Sequence, residues 1–493
     1  MRAVAWSADL LALARAHGPR CAVSNGRESL TFADLSARAH GLAAHLRSLG
    51  LAAGEPVASS LPNGPQAVWV SYGLLVHGAA EAPMHAGMTQ EEVAWFAALT
   101  GIRHVIAPRA RQRFFEHLGL ALIAVEDLPT DGPAPLPPVP GEARGRYLQS
   151  SGTTGKPKGL LYTHERRARG NALLKSTLPF PPAPGDTVLL MTPFPHGASL
   201  LTYAWLDFGG EVVLLDGVKK DEVSAALARG LSAVFAPPTV INKLADLFPG
   251  ERFPTVRCVF TGTQTLTEAT YRRAERMFGP VVRVTYGKTE CVNPITVLAP
   301  ADTAAVYAGE ARADGACLGW PAEGVELEIR DGQIWLRARH MSSGWIDAEG
   351  FHAYPDGWHA TGDAGWIDDR GRLWLAGRLA DVIKSGGYKV QPEEIEGVLA
   401  GLPDCGQIVV TSLPSDYWGE VIVAATEQAQ TGWEKAGMAA VQALSRHKQP
   451  RAWVALEALP RNPQGKVNRR DVRAAILAAH ALEDGPHPRL RPR

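Results

Sequence analysis

The chain has 493 residues, of which 46% are apolar and 20% charged, and its fifty basic residues balance fifty acidic ones. That length exceeds a single hydrophobic core and implies about two or three domains, while the neutral balance argues against a nucleic-acid binder working through bulk charge. The five cysteines (Cys21, Cys258, Cys291, Cys317, Cys405) are scattered without a CxxC pair, no run of about eighteen apolar residues exists, and Met1 to Leu13 carries Asp9 in place of a signal-peptide pattern; a reducing cytoplasm without membrane insertion is expected.

In chain order, Thr31-Phe-Ala-Asp34 reads as a capping box with Asp in the usual Glu position. Leu35, Leu42, Leu46 and Leu49 follow at helical spacing, and Gly50 stops the helix. From residue 55 to 125 short apolar runs alternate with Pro and Gly, and Pro133 to Pro140 is a proline-rich connection. It leads into Leu148-Gln-Ser-Ser-Gly-Thr-Thr-Gly-Lys-Pro-Lys-Gly159. Glycines let the backbone turn and approach a ligand. Successive N–H groups in such a loop can form an anion-binding concavity. Ser150, Ser151, Thr153 and Thr154 add hydroxyl donors around Gly152 and Gly155, and Lys156 and Lys158 add positive charge. The natural guest is a polyphosphate. The loop is not a Walker A sequence, because Pro157 follows Gly155-Lys156. A polar surface turn is the plain alternative.

Beyond this loop, apolar β-branched runs at Thr187–Thr192, Val212–Leu215, Ala233–Ala236, Arg257–Phe260 and Val281–Thr285 alternate with helical patterns such as Asp221–Arg229 and Thr239–Phe248. Alternation of this kind points to an α/β layered domain with largely parallel strands. Ligands of such sheets bind beyond the carboxyl ends of the strands. Those positions hold Phe194-Pro-His196, then Thr261-Gly-Thr-Gln264, then Tyr286-Gly-Lys-Thr-Glu290. An imidazole at His196 can donate or accept near neutral pH, although a lone histidine is more often structural. Tyr286 offers a flat ring, Gly287 a bare backbone, Thr289 a donor, and Glu290 an oxygen for Mg²⁺. Thr361-Gly362-Asp363 places a carboxylate after a flexible residue, suited to a ribose diol or, equally, to a hairpin turn.

The pattern changes at about residues 378–381 and becomes compact α+β. Pro392 starts a helix with Glu393, Glu394 and Glu396 in its first turns. Strands are expected at Ile408–Thr411, Val421–Ala424 and Trp453–Leu456, and a helix at Trp433–Arg446. Pro460 to Arg470 presents Lys466 on a Gly/Pro/Asn loop, where a lysine can deliver charge to an oxyanion or simply be solvated. The tail Leu482–Arg493 is Pro/Arg-rich and expected to fray.

Taken in order, Ser150–Gly159, Tyr286–Glu290, Thr361–Asp363, Gly377–Glu396 and Pro460–Lys466 resemble the adenylate-forming superfamily of acyl-CoA synthetases, luciferases and peptide-synthetase adenylation domains. The first 149 residues carry no matching motif. The resemblance implies a large N-terminal domain of layered α/β subdomains (1–377), a hinge (378–381) at Ala380, and a small mobile α+β C-terminal domain (382–493). It implies attack of a carboxylate on the α-phosphate of Mg·ATP, then displacement of AMP by a thiol. On this resemblance Ser150, Ser151, Gly152, Thr153, Thr154, Gly155, Lys156 and Lys158 hold phosphates, with Thr263 beside the nucleotide. Tyr286 and Gly287 meet adenine, Thr289 the α-phosphate, Glu290 the Mg²⁺, and Asp363 and Arg378 the ribose. Lys466 bridges the carboxylate and the α-phosphate. His196, Gly262, Thr263, Gln264, Gly287 and Lys288 line the acyl pocket, with His196 also a catalytic candidate. Ser385, Gly386, Gly387 and Tyr388 border a thiol tunnel.

Three departures carry weight. Ala380 stands where relatives usually have Asp or Lys. Lys288 stands at a position commonly small, apolar or neutral, and either meets a polar or acidic substrate group or is a lysine that is solvated or supports the site from behind. Phe194–His196 lacks the Asp of relatives that activate α-amino acids, which argues against an α-ammonium substrate. The leading expectation is an acid–CoA ligase using ATP, Mg²⁺ and CoA, as a monomer or homodimer. The alternatives are transfer to a carrier-protein thiol or an amine, and a nucleotide-binding protein without catalysis.

Overall fold

The computed structural model describes residues 3–493 except 151–157, 263, 293, 313, 403–404 and 462–464; for Ser150 and His196 it describes the backbone alone. The capping box at Thr31 forms as the sequence predicts. The Thr31 N–H donates to Asp34 Oδ2 at 3.0 Å and the Asp34 N–H to Thr31 Oγ1 at 3.1 Å. The helix Phe32–Ser48 then buries Leu35, Leu42 and Leu46 completely, and the chain turns out at Gly50 with φ +76°.

The regular apolar runs become one parallel block. Val282–Tyr286, Cys258–Gly262, Ala233–Phe235, Thr187–Leu190, Glu211–Leu214 and Cys21–Ser24 lie side by side and parallel. Being covered on both faces, these strands read as continuous Val, Leu and Phe rather than as alternation. The sheet continues past Tyr286 through antiparallel strands. Thr296–Leu298, Ala316–Pro321 and Leu373–Arg378 lead to His359–Ile367. That extension puts Asp363 in the same sheet as Tyr286 although they are far apart in sequence.

The motif-free N-terminal stretch builds most of a second, eight-stranded sheet. Its parallel strands Pro56–Ser59, Ala80–Pro83, His104–Ala107 and Ala121–Ala124 explain the Pro and Gly punctuation there. The hairpin Arg144–Ser150 and Lys158–Thr163 joins this sheet, so the Gly/Ser/Thr loop leaves and re-enters it in register at Ser150 and Lys158. Between the two sheets lies a helical layer. The Pro65–His77 helix touches strands of both and is buried on every side, as a helix apolar all round must be.

After Arg378 the sheet changes. Ile383–Ser385, Tyr388–Val390, Ile408–Ser415, Gly419–Thr426 and Ala452–Ala455 form a separate five-stranded sheet. The helices Pro392–Leu399 and Arg469–Ala479 both pack on its Ile408–Ser415 strand. Two expectations are corrected here. The helix expected to reach Arg446 ends at Ala440 and gives way to 3₁₀ turns, because the backbone becomes extended at Leu444 and buries that side chain in the core. The tail does not fray: His480–Glu483 pairs with Arg489–Pro492, and Asp484 between them accepts from the Ser415 hydroxyl at 2.5 Å and the Asp416 N–H at 2.6 Å.

Candidate active site

Asp363 is the centre of the site. It lies on the His359–Ile367 strand and is 3% exposed. A carboxylate so buried needs partners, and it has them. Arg378 Nε reaches Oδ1 at 2.7 Å, Lys288 Nζ reaches Oδ2 at 2.8 Å, and the Tyr286 hydroxyl donates to the same oxygen. The partners come from strand ends that the antiparallel extension aligns, since Asp363 and Arg378 are direct cross-strand neighbours. Burial and the Asp363 charge hold the Tyr286 phenol well above its ordinary pKa, so it remains a donor.

Lys288 also donates to the Thr361 carbonyl at 2.8 Å, and its side chain is 7% exposed. Its ammonium is therefore engaged by Asp363 and the Thr361 carbonyl.

Lys466 arrives from the other end of the chain. It lies on the loop before the Arg469–Ala479 helix and is half-buried. Its surroundings push its ammonium down from 10.5 to about 8. Burial is the largest cause, followed by the like charges of Arg378 and Lys288, while Asp363 opposes them. The predicted catalytic lysine and the predicted ribose carboxylate thus share one cleft. Three cationic side chains converge on it, a field suited to a polyanion.

Glu290 follows on the loop after Val282–Tyr286. It is half-buried, its backbone carbonyl accepts from the Ser342 N–H at 2.8 Å, and its charge reaches His359, Tyr162 and Tyr354. An oxygen donor of this kind fits Mg²⁺, which takes one or two carboxylates and completes its shell with water and phosphate oxygens. The Thr289 carbonyl accepts from the Tyr162 hydroxyl at 2.6 Å, tying this loop to the Lys158–Thr163 strand. Lys158 lies 3.8 Å from Asp347 and over the Trp345 ring.

Ser151, Gly152, Thr153, Thr154, Gly155, Lys156 and Thr263 lie outside the described residues, as do the side chains of Ser150 and His196. The turn Phe194–Ala198 that carries His196 is held through Arg146, which donates to the Pro195 carbonyl at 3.2 Å. Gly262 has a structural reason of its own, since a Cβ there would meet the Thr285 carbonyl at 2.5 Å. Gln264 follows it, half-buried.

Further out, Gly386 and Gly387 make a left-handed turn with φ +59° and +83°, which favours glycine. Ser385 is buried, and Tyr388 stacks on His447 with centroids 4.2 Å apart. Ala380 sits exposed in the turn Leu379–Asp381.

Two features escaped the sequence. His359 stands beside Glu290, Lys288 and Asp363, and burial pushes its imidazole down; its position two residues before Thr361 was the available hint. Arg469 reaches Asp381 at 2.7 Å, Glu393 at 2.9 Å and Glu396 at 2.6 Å. This clamp joins the turn after Arg378 to two helices, and no local pattern signals it.

Comparison with known proteins gives the family and the fold. The profile of the AMP-binding enzyme family matches residues 11–344. Long-chain-fatty-acid–CoA ligase FadD13 of Mycobacterium tuberculosis is 29% identical over 465 residues, covering 89% of this chain and 91% of that protein. The 2-succinylbenzoate–CoA ligase of Listeria monocytogenes is 27% identical over 459 residues, covering 92% of this chain and 95% of that protein. Among solved structures, ATP-bound MatB from Rhodopseudomonas palustris superposes with a TM-score of 0.84 at 21% identity, covering 96% of this chain and 99% of that one. The o-succinylbenzoate CoA synthetase MenE of Bacillus subtilis, in complex with its acyl-adenylate intermediate, does so with 0.83 at 22% identity, covering 95% and 98%. At these identities the structural likeness establishes the fold.

Proposed function

This chain belongs to the AMP-binding enzyme family, and we propose that it activates a carboxylic acid with ATP to an acyl-adenylate and passes the acyl group to the thiol of CoA. The observation that carries the reading is the meeting of Lys466 with Asp363, Lys288 and Arg378 in one cleft.

Two anions must be brought together for the first step. A carboxylate oxygen forms a bond to the α-phosphorus, the bond to the bridging oxygen breaks, and pyrophosphate leaves. The barrier lies in repulsion and in charge developing on phosphate oxygens, so positioning and fixed positive charge are what a protein can contribute. In our reading Asp363 and Arg378 accept and donate to the ribose hydroxyls, the Gly/Ser/Thr loop holds the terminal phosphates, and Lys466 lies between the acid and the α-phosphate. Glu290 would hold Mg²⁺, which supplies charge neutralisation at the phosphates. In the second step the thiol attacks the acyl carbonyl and AMP leaves.

That step needs an opening where Lys466 stood. We assign the swing to residues 378–381, where one sheet ends at Arg378 and the next begins at Ile383. The rotation would bring Ser385–Tyr388 to the cleft, a motion of a recognised kind. Domain limits of 1–377 and 382–493 follow from that assignment. Among the described residues no helix is long and apolar enough to cross a membrane.

The test is acid-dependent ATP–pyrophosphate exchange over short, medium, aromatic and dicarboxylic acids, followed by AMP release on adding CoA. Exchange that needs an acid, with AMP formed only when CoA is present, is expected. Absence of exchange with every acid removes the reading, and AMP release that requires an amine or a carrier protein instead of CoA removes its second half.

A further inference from the structure

The junction between the large sheet and the C-terminal sheet holds more oxygen acceptors than donors. The single guanidinium of Arg469 faces three carboxylates: Asp381 from the turn after Arg378, and Glu393 and Glu396 from the helix Pro392–Leu399. Glu396 has a second donor, the Val410 N–H, 2.7 Å from its Oε1. Glu393 has none. Its Oε1 lies 2.9 Å from Arg469, and its Oε2 is buried without a hydrogen-bond partner among the described residues. Gln391 Oε1 is buried in the same way.

Both oxygens press on one residue of the large sheet. A Cβ at Gly377 would meet Gln391 Oε1 at 2.9 Å and Glu393 Oε2 closer still. Gly377 lies on the strand Leu373–Arg378, directly ahead of the 378–381 turn, and the next residue, Arg378, holds Asp363. Glu393 and Gln391 thus seat the C-terminal sheet on the large one in the orientation that brings Lys466 to Asp363. Two acceptors facing one spot without a donor repel each other. A proton on Glu393 turns the pair into a donor and an acceptor.

The surroundings favour that proton. Burial is the largest cause; Arg469 opposes it, while Glu396 on the same helix and Asp381 from the turn add to it, and the carboxyl is raised from 4.5 to about 7. The other charged groups close by are already engaged, Glu394 by Lys448 and Arg378 by Asp363.

We propose that protonated Glu393 is a latch that seats the C-terminal unit on Gly377 with Lys466 in the cleft, and that loss of this proton frees the unit to turn. The proposal rests on the swing assigned to residues 378–381. The latched orientation binds the proton more tightly, so it is favoured at low pH and gives way as pH rises through about 7. A carboxyl that returned from about 7 to 4.5 on release would change the ratio of orientations by about 300-fold at most. Arg469 and part of the burial stay with Glu393 in the C-terminal unit, so about tenfold is expected.

Spin labels report the orientation directly. They are carried on Glu323→Cys and Lys435→Cys, exposed positions on either side of the turn, with Cys21 and Cys405 replaced by Ser. In dipolar EPR of the ligand-free chain, the ratio of released to latched distances should rise about tenfold from about pH 5.5 to about pH 8.5. Glu393→Gln, which keeps a neutral donor at every pH, should hold the latched distance throughout. Gln391→Leu, which removes the acceptor, should raise the released population already at the lower pH. A ratio that stays flat with pH in the labelled parent overturns the proposal, because Gln391 would then be turning its amide nitrogen to an ionised carboxylate. An unaltered slope in Glu393→Gln overturns it as well. The labels need neither acid nor ATP. Absence of exchange with every acid therefore ends the adenylation reading and leaves the latch, while a flat ratio with exchange intact ends the latch alone.

Discussion

Exchanging Lys288 for Met should move the alkaline limb of adenylation to higher pH. The Lys466 ammonium titrates at about 8 instead of 10.5, which amounts to roughly 3 kcal/mol against its charged form before screening by solvent. Burial is the largest cause and stays in the variant. Arg378 is next and Lys288 third. Like charges ~6 Å apart repel by ~0.7–2.8 kcal/mol for an effective dielectric of ~80–20, or ~0.5–2 pH units. As the smallest of the three causes, Lys288 should supply the low end of that range. Its loss also leaves Asp363 without the 2.8 Å ammonium, which acts in the same direction. The charged form of Lys466 is the one that stabilises the phosphates, so activity falls as pH rises through its pKa. The profile of kcat for acid-dependent pyrophosphate exchange should therefore show a falling limb near pH 8 in the unaltered enzyme, displaced upward by about half a pH unit or more in Lys288→Met. Lys466→Arg, which stays charged, should show no such limb. A limb that does not move in Lys288→Met, or that persists in Lys466→Arg, refutes the assignment of this titration to Lys466.

Lys466→Ala should lower adenylation by about 10²–10³-fold while thioester formation from supplied acyl-adenylate continues; equal loss of both half-reactions contradicts the role. Glu81 is fully buried, and Arg146 and Arg167 outweigh the burial that would raise its pKa, so the net shift is downward. Its pairing therefore stabilises the fold above the ordinary carboxyl range and is lost as pH falls through the depressed value. Glu81→Gln should cost about 3–5 kcal/mol in denaturant unfolding at neutral pH, and a loss below about 1 kcal/mol contradicts the account. Burial raises Glu393 from 4.5 to about 7, with Glu396 and Asp381 adding to it against Arg469. A carboxyl raised on folding stabilises below its ordinary value and loses that contribution as pH rises through about 7. The C-terminal unit should accordingly weaken between pH 4.5 and 7, and Glu393→Gln should flatten that slope; an unaltered slope assigns it elsewhere.

What could be read in the sequence was chemistry confined to a few adjacent letters. Ser150–Gly159, Tyr286–Glu290 and the loop around Lys466 each announce a role because glycines, hydroxyls and lysines are crowded where no core demands them. The parallel strands were legible for a similar reason, since a strand covered on both faces is a continuous apolar run. The bond network at Asp363 was not. It joins Tyr286, Lys288 and Arg378 through an antiparallel extension of the sheet, and cross-strand neighbours have no signature in either strand alone. The groove between the helices Trp6–His17, Pro65–His77, His164–Ser176 and Ser199–Leu206 was hidden by the same logic at larger scale. Four helices contribute only a few residues each, and every one of those helices reads as ordinary packing. Asp9 shows how far this goes: in sequence it served only to interrupt an apolar stretch, and in the fold it stands beside Asp207, which comes from the far end of the Ser199–Leu206 helix. The distinction is physical. Residues that grip phosphate must be locally clustered, because a backbone turn makes the site. Residues that wall a groove are spread over several elements, because a wall is made by packing them together. A family's common chemistry should thus be readable from letters, and the shape of a cavity only from the assembled helices.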